Sequence, residues 1–133
     1  MRYPIVIHKE LHSDYGVTVP DLPGCFSAGE SMNEALTMAQ EAIETHIEGM
    51  LIDGEPVPPP QNIEGHMDNP DFADGVWAIV EVDLSKLSGK TQRVNITLPE
   101  RLLTMMDNYA MQQGESRSGL IARATMEFIA THS

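Results

Sequence analysis

The chain has 133 residues, 41% apolar and 21% charged, with a formal net charge of −12. That balance is globular and excludes a disordered chain, and no apolar run is long enough for a membrane-spanning helix. The length suits one domain of usual size, or a small domain with a shorter appendage.

The acidity is unevenly placed. Residues 1–89 hold three cations against sixteen carboxylates, a net of −13, whereas residues 90–133 net +1. An acidic body repels DNA and attracts a basic protein, so the two regions are expected to have different partners. The opening apolar run is too short for a signal-peptide core, and a cytoplasmic location is expected. Cys25 is the only cysteine, which excludes an internal disulfide and a cysteine zinc site.

Residues 3–8 are β-branched and partly alternating, a strand signal. Asp14-Tyr15-Gly16 is a turn signal, and residues 16–19 form a second strand, so the two make a hairpin. Pro20-Asp21-Leu22-Pro23-Gly24 reads as a stiff loop, because the prolines fix φ. Residues 25–28 form a short third strand. Ser31-Met32-Asn33-Glu34 is a capping box. The helix it opens has apolar residues at 32, 35, 36, 39, 42, 43, 47, 50 and 51, with Glu34, Glu41, Glu44 and Glu48 projecting outward. Asp53-Gly54 ends it. Four prolines in residues 56–60 exclude regular structure, and residues 61–74 read as loop. Residues 76–82 are the strongest strand signal. Residues 1–84 are therefore β-β-β-α-β, an α+β arrangement of one long helix on a small sheet. Residues 85–90 read as a linker.

Residues 91–98 alternate strictly. Gln92, Val94, Ile96 and Leu98 share one face; Thr91, Arg93, Asn95 and Thr97 share the other. Pro99 stops the strand and suits the first turn of a helix over 100–113, whose apolar face is Leu102, Leu103, Met106, Tyr109 and Ala110. Gly114 fits the C′ position, and Ser116 is a good N-cap for a second helix with Leu120, Ile121, Ala124, Phe128 and Ile129 as its buried stripe. One strand on two short helices cannot pair its own backbone groups and has too little core to stand alone. Two chains that pair their strands antiparallel solve both problems. Such a ribbon fits the major groove, where Arg93, Asn95 and Thr97 are expected to read bases. The free amides near Ser116, Arg117 and Ser118 are expected to clamp a phosphate.

The segment Arg93-Val94-Asn95-Ile96-Thr97-Leu98-Pro99, with Gly114-Glu115-Ser116-Arg117-Ser118 and Leu120-Ile121, resembles the ribbon–helix–helix DNA-binding repressors. Residues 14–25, the capped helix and Gly54-Glu55-Pro56-Val57-Pro58-Pro59-Pro60 resemble the HicB antitoxins of bacterial type II toxin–antitoxin pairs. The second resemblance implies that residues 1–84 are a partial ribonuclease-H-like domain that binds and blocks a small basic mRNA-cleaving toxin, HicA. It also implies that residues 91–133 form the ribbon–helix–helix domain, repress the operon and make a homodimer, with a tetramer as a further state. Asp14, Tyr15, Asp21 and Leu22 are the expected toxin contacts, from the exposed stiff loop.

Residues 3–8 hold no carboxylate, and Glu81 and Asp83 lie at a strand end, so no two-metal nuclease site and no catalytic residue is expected. No metal site or cofactor is expected either: His8 and His12 lie on a strand-to-turn segment, His46 reads as half-buried packing, and His66 and His132 lie in a loop and at the end. Cys25 reads as a small buried residue, since no base stands beside it. Trp77 reads as sheet core and the nine methionines as helix-face filler. The rival reading is a repressor whose first domain senses a small ligand, which needs a concave pocket.

Overall fold

A computed structural model describes residues 1–87 and 92–132. The expected linker positions 88–90 and the strand position Thr91 lie outside the described residues. The elements are β1 (Arg2–Lys9), β2 (Tyr15–Thr18), β3 (Phe26–Gly29), α1 (Met32–Ile52), β4 (Val76–Glu81), α2 (Glu100–Gln112) and α3 (Arg117–His132). Short 3-10 turns span Ile63–Gly65, Pro70–Phe72 and Leu84–Lys86.

The four strands form one antiparallel sheet in the order β3-β2-β1-β4. β1 is central, and its run from Tyr3 to Ile7 is buried. Tyr3, Ile5 and Ile7 share one face by the period of two and join the core cluster with Val17, Val19 and Val80. Pro4 is tolerated in this strand because β2 pairs with β1 only from Val6 to Lys9, whereas β4 pairs from Arg2 to Ile7.

α1 begins where Ser31 Oγ accepts the Glu34 N–H at 3.1 Å, the serine half of the expected capping box. Its inner face is Ala35, Ala39, Ile43 and Ile47, all fully buried. Leu36, Ala42 and Met50 flank that face half-buried, and Leu51 is exposed, so the buried stripe is narrower than the sequence pattern. Gly29 at the end of β3 lies against the backbone of Glu34 and Ala35, so a Cβ there would overlap it. Gly54, at φ +68°, lets the chain leave the helix.

Residues 56–75 are less of a loose loop than expected. The Tyr3 hydroxyl donates to Pro58 O at 2.9 Å. Asp21 accepts the Gln61 N–H at 3.1 Å and bonds His66 Nε2 at 2.9 Å. His66, Phe72 and Trp77 form an aromatic cluster with ring centroids 5.7–6.3 Å apart. His8 Nε2 on β1 lies 3.1 Å from Ala73 O, so the segment is tied to the sheet side of the domain at several places.

In the last third both helices stand where expected. Ser116 caps α3, its Oγ accepting the Gly119 N–H at 3.0 Å, and Gly114 turns the chain at φ +65°. Pro99 precedes α2 as its cap residue rather than entering its first turn. Among the described residues, 92–99 find no strand partner; the strand expected here needs a second chain, which one chain does not supply. One expectation is corrected. The α3 stripe is mostly uncovered: Leu120 is buried, but Ala124, Phe128 and Ile129 are exposed. Of the expected α2 face only Ala110 is buried. A different face of α3 is occupied, since Ala122 and Met126 pack on the core of the first region.

Candidate nucleic-acid and partner interfaces

Residues 92–97 are exposed on both sets of alternating positions. Val94 and Ile96 are 68% and 62% exposed, although both are apolar and β-branched. Arg93, Asn95 and Thr97 are exposed as well. A concavity of about 970 Å3 lies between this segment and the start of α3. Arg93 and Asn95 line it together with Ser116, Arg117 and Ser118. Two expected base readers and the three expected phosphate contacts thus face one space; Thr97 lies outside its lining. Val94, Ile96, Leu98, Leu103 and Ile121 supply the apolar part of the wall.

The start of α3 holds ion pairs that sequence reading missed. Arg117 Nε and Nη2 donate to the two Asp107 carboxylate oxygens at 2.9 and 2.8 Å. This bidentate bond holds the Asp107 carboxyl below its usual range and raises Arg117 further. Arg123 donates to both Glu115 oxygens at 3.0 Å and to Glu127 at 3.4 Å. Its hydrogen bonds hold Glu115 below the usual carboxylate range. The Arg123–Glu127 pair was legible from its spacing of four on a helix. The other two span a helix–helix turn and have no sequence signature.

The expected toxin contacts divide into two pairs. Asp14 is exposed and Tyr15 half-buried at the end of the β1–β2 hairpin, where Lys9 lies over the Tyr15 ring. Leu22 is wholly buried, and Asp21 is 7% exposed with its carboxylate turned to Gln61 and His66. The stiff loop closes inward, so these two side chains serve the interior of the domain and offer a partner no surface.

His66, read as a loop histidine, is the Asp21 partner. Cys25 is buried, and burial pushes its thiol up, away from the reactive thiolate. Trp77 is half-buried under His66 and Phe72. Among the described residues no three metal-ligating side chains come together, and no helix is long and apolar enough to cross a membrane.

A family model described as "HicB_like antitoxin of bacterial toxin-antitoxin system" matches residues 3–125. An uncharacterised 14.9 kDa protein of Haemophilus phage HP1 is 44% identical over 118 residues, 89% of this chain and 88% of its own. The crystal structure of the Burkholderia pseudomallei antitoxin HicB superposes with a TM-score of 0.80 at 42% identity, covering 96% of this chain and 97% of that one. A structure of a HicA3 and HicB3 toxin-antitoxin complex matches with a TM-score of 0.55 at 35% identity, covering 62% of this chain and 99% of that one. The match spans nearly the whole chain in sequence and in fold, and the family is one of antitoxins rather than enzymes; the chain belongs to the HicB-like antitoxins of bacterial toxin–antitoxin systems.

Proposed function

We propose that the chain neutralises a small basic HicA-type toxin by covering it with residues 1–84, and represses its own operon by binding operator DNA through residues 91–133. The DNA-binding form is a dimer paired along residues 91–98, or a higher oligomer, in the cytoplasm. No cofactor takes part.

The toxin half is supported by likeness to a chain of the HicA3 and HicB3 complex. The net charge of −13 over residues 1–89 suits a cationic partner. Asp14 and Tyr15 are the surface members of the expected contact set.

The observation that carries the DNA half is the exposed row at residues 92–97, without a strand partner among the described residues, beside the capped start of α3. Exposed Val94 and Ile96 call for a second copy, whose pairing would turn Arg93, Asn95 and Thr97 to one side. An arginine can bond guanine bidentately and an asparagine adenine; each good pair discriminates by about 1–3 kcal/mol. The rival ligand-sensing reading needs a concave pocket in the first region. The two concavities centred on Thr45 and His46 there are open, at about 360 and 570 Å3.

Two experiments test the proposal. Tagged protein pulled down at natural expression should bring a small basic protein in stoichiometric amount, identified by intact mass. Arg93→Ala and Asn95→Ala should weaken operator binding by about 5- to 150-fold each while toxin neutralisation stays intact. Loss of both activities together would show that the assignment of the two tasks to two regions is wrong.

A further inference from the structure

We infer that Asp107 masks Arg117 in the free chain, and that this carboxylate sets how tightly the chain holds DNA. The inference rests on the DNA-binding reading above and goes further, to one residue that no base or phosphate is expected to touch.

A guanidinium offers its donors on a planar fork, and the Nε/Nη2 edge matches two oxygens of a carboxylate or of a phosphate equally well. In this chain that edge of Arg117 is already taken, by both Asp107 oxygens at 2.9 and 2.8 Å. Arg117 is the first residue of α3, at the place where a phosphate is expected. A phosphate and Asp107 therefore compete for the same edge.

The other arginine of α3 shows why this pair is the one that exchanges. Arg123 and its partner Glu115 have side chains only 20% and 15% exposed, and a second carboxylate, Glu127, holds the same arginine. Arg117 and Asp107 are 54% and 40% exposed, and among the described residues one carboxylate holds the arginine. Solvent already screens that pair, so its opening costs little. Residues 90–133 carry only five cations against four carboxylates. With so few cations, one masked arginine is a large share of the attraction to DNA.

The test is a fluorescence-anisotropy titration of the full chain. The probes are a duplex taken from upstream of its own gene and a mixed-sequence duplex of equal length. Asp107→Asn, and Asp107→Ser as a second variant, should tighten binding to both duplexes by about 2- to 5-fold per protomer, the range an exposed pair can hold back. In an Arg117→Gln background the same substitutions should change nothing. Unchanged or weakened binding by both single variants overturns the inference. So does a gain that persists without Arg117, since Asp107 would then act as a plain repelling charge. A wild-type chain that binds neither duplex overturns the DNA-binding reading and the inference with it. A wild-type chain that binds, with no gain in the variants, overturns the inference alone.

Discussion

Residues 1–87 hold nearly all of the buried apolar core, and residues 92–132 add only Ala110 and Leu120 to it among the described residues, although Phe26, Ile52, Val76 and Ile79 of the first region are exposed as well. In the first region the apolar face of α1 meets Tyr3, Ile5, Ile7 and Val80, and Ile43 and Ile47 are removed from water altogether. In the second region Val94, Ile96, Met105, Met111, Phe128 and Ile129 stay at the surface. Exposed apolar residues in this number suit the second copy proposed above. The contrast also separates the chemistry, since the closed region carries the acidity and the open one carries Arg93, Asn95 and Arg117.

The sharpest way to break that comparison is a matched pair of truncations. Ile43→Ala should lower the unfolding free energy by about 2–5 kcal/mol at every protein concentration, read from urea denaturation. Phe128→Ala should leave the melting temperature of the dilute chain unchanged and move the monomer–dimer midpoint in sedimentation equilibrium to higher concentration. An equal loss of stability in both would mean that the second region, too, is closed within one chain.

Smaller is the effect expected at Asp21. Asp21→Ala leaves the Gln61 N–H and the His66 ring without their partner, at a cost of about 1–3 kcal/mol. The loss should appear in thermal denaturation together with a change in Trp77 fluorescence, because His66 stacks on that ring. Unaltered fluorescence would show that Asp21 does not hold residues 61–75 in place.

The smallest effect concerns pH. Glu115 is held below its usual range by Arg123 when folded, so its contribution is present above the unfolded carboxylate value and is lost as pH falls through the folded one. Stability of the chain should therefore drop on acidification below about pH 4.5, and Glu115→Gln should flatten that limb. A limb of unchanged steepness in the variant would assign the acid sensitivity to other carboxylates.

Much of this architecture was legible because it is local. The alternation of β1, the Ser31 cap, the Gly54 and Gly114 turns and the Ser116 cap each depend on a few adjacent residues. The family, too, was legible, through motifs spread along almost the whole chain. What was not legible depends on contacts between residues far apart. Asp21 lies 45 residues before His66, and nothing in the stiff Pro-rich loop says that it closes inward. The Asp107–Arg117 pair joins α2 to α3 across a turn. A helix pattern names its apolar positions but not which of them another element will cover.

That limit is clearest in α3. Its sequence determined a capped helix with an apolar stripe at Leu120, Ile121, Ala124, Phe128 and Ile129. Only the tertiary structure decided that Ala122 and Met126 dock on the first region while Phe128 and Ile129 remain open. The physical reason is that burial is a property of pairs of surfaces. Periodicity fixes which residues share a face, and the packing of distant elements, or the arrival of a second chain, decides which face leaves the water.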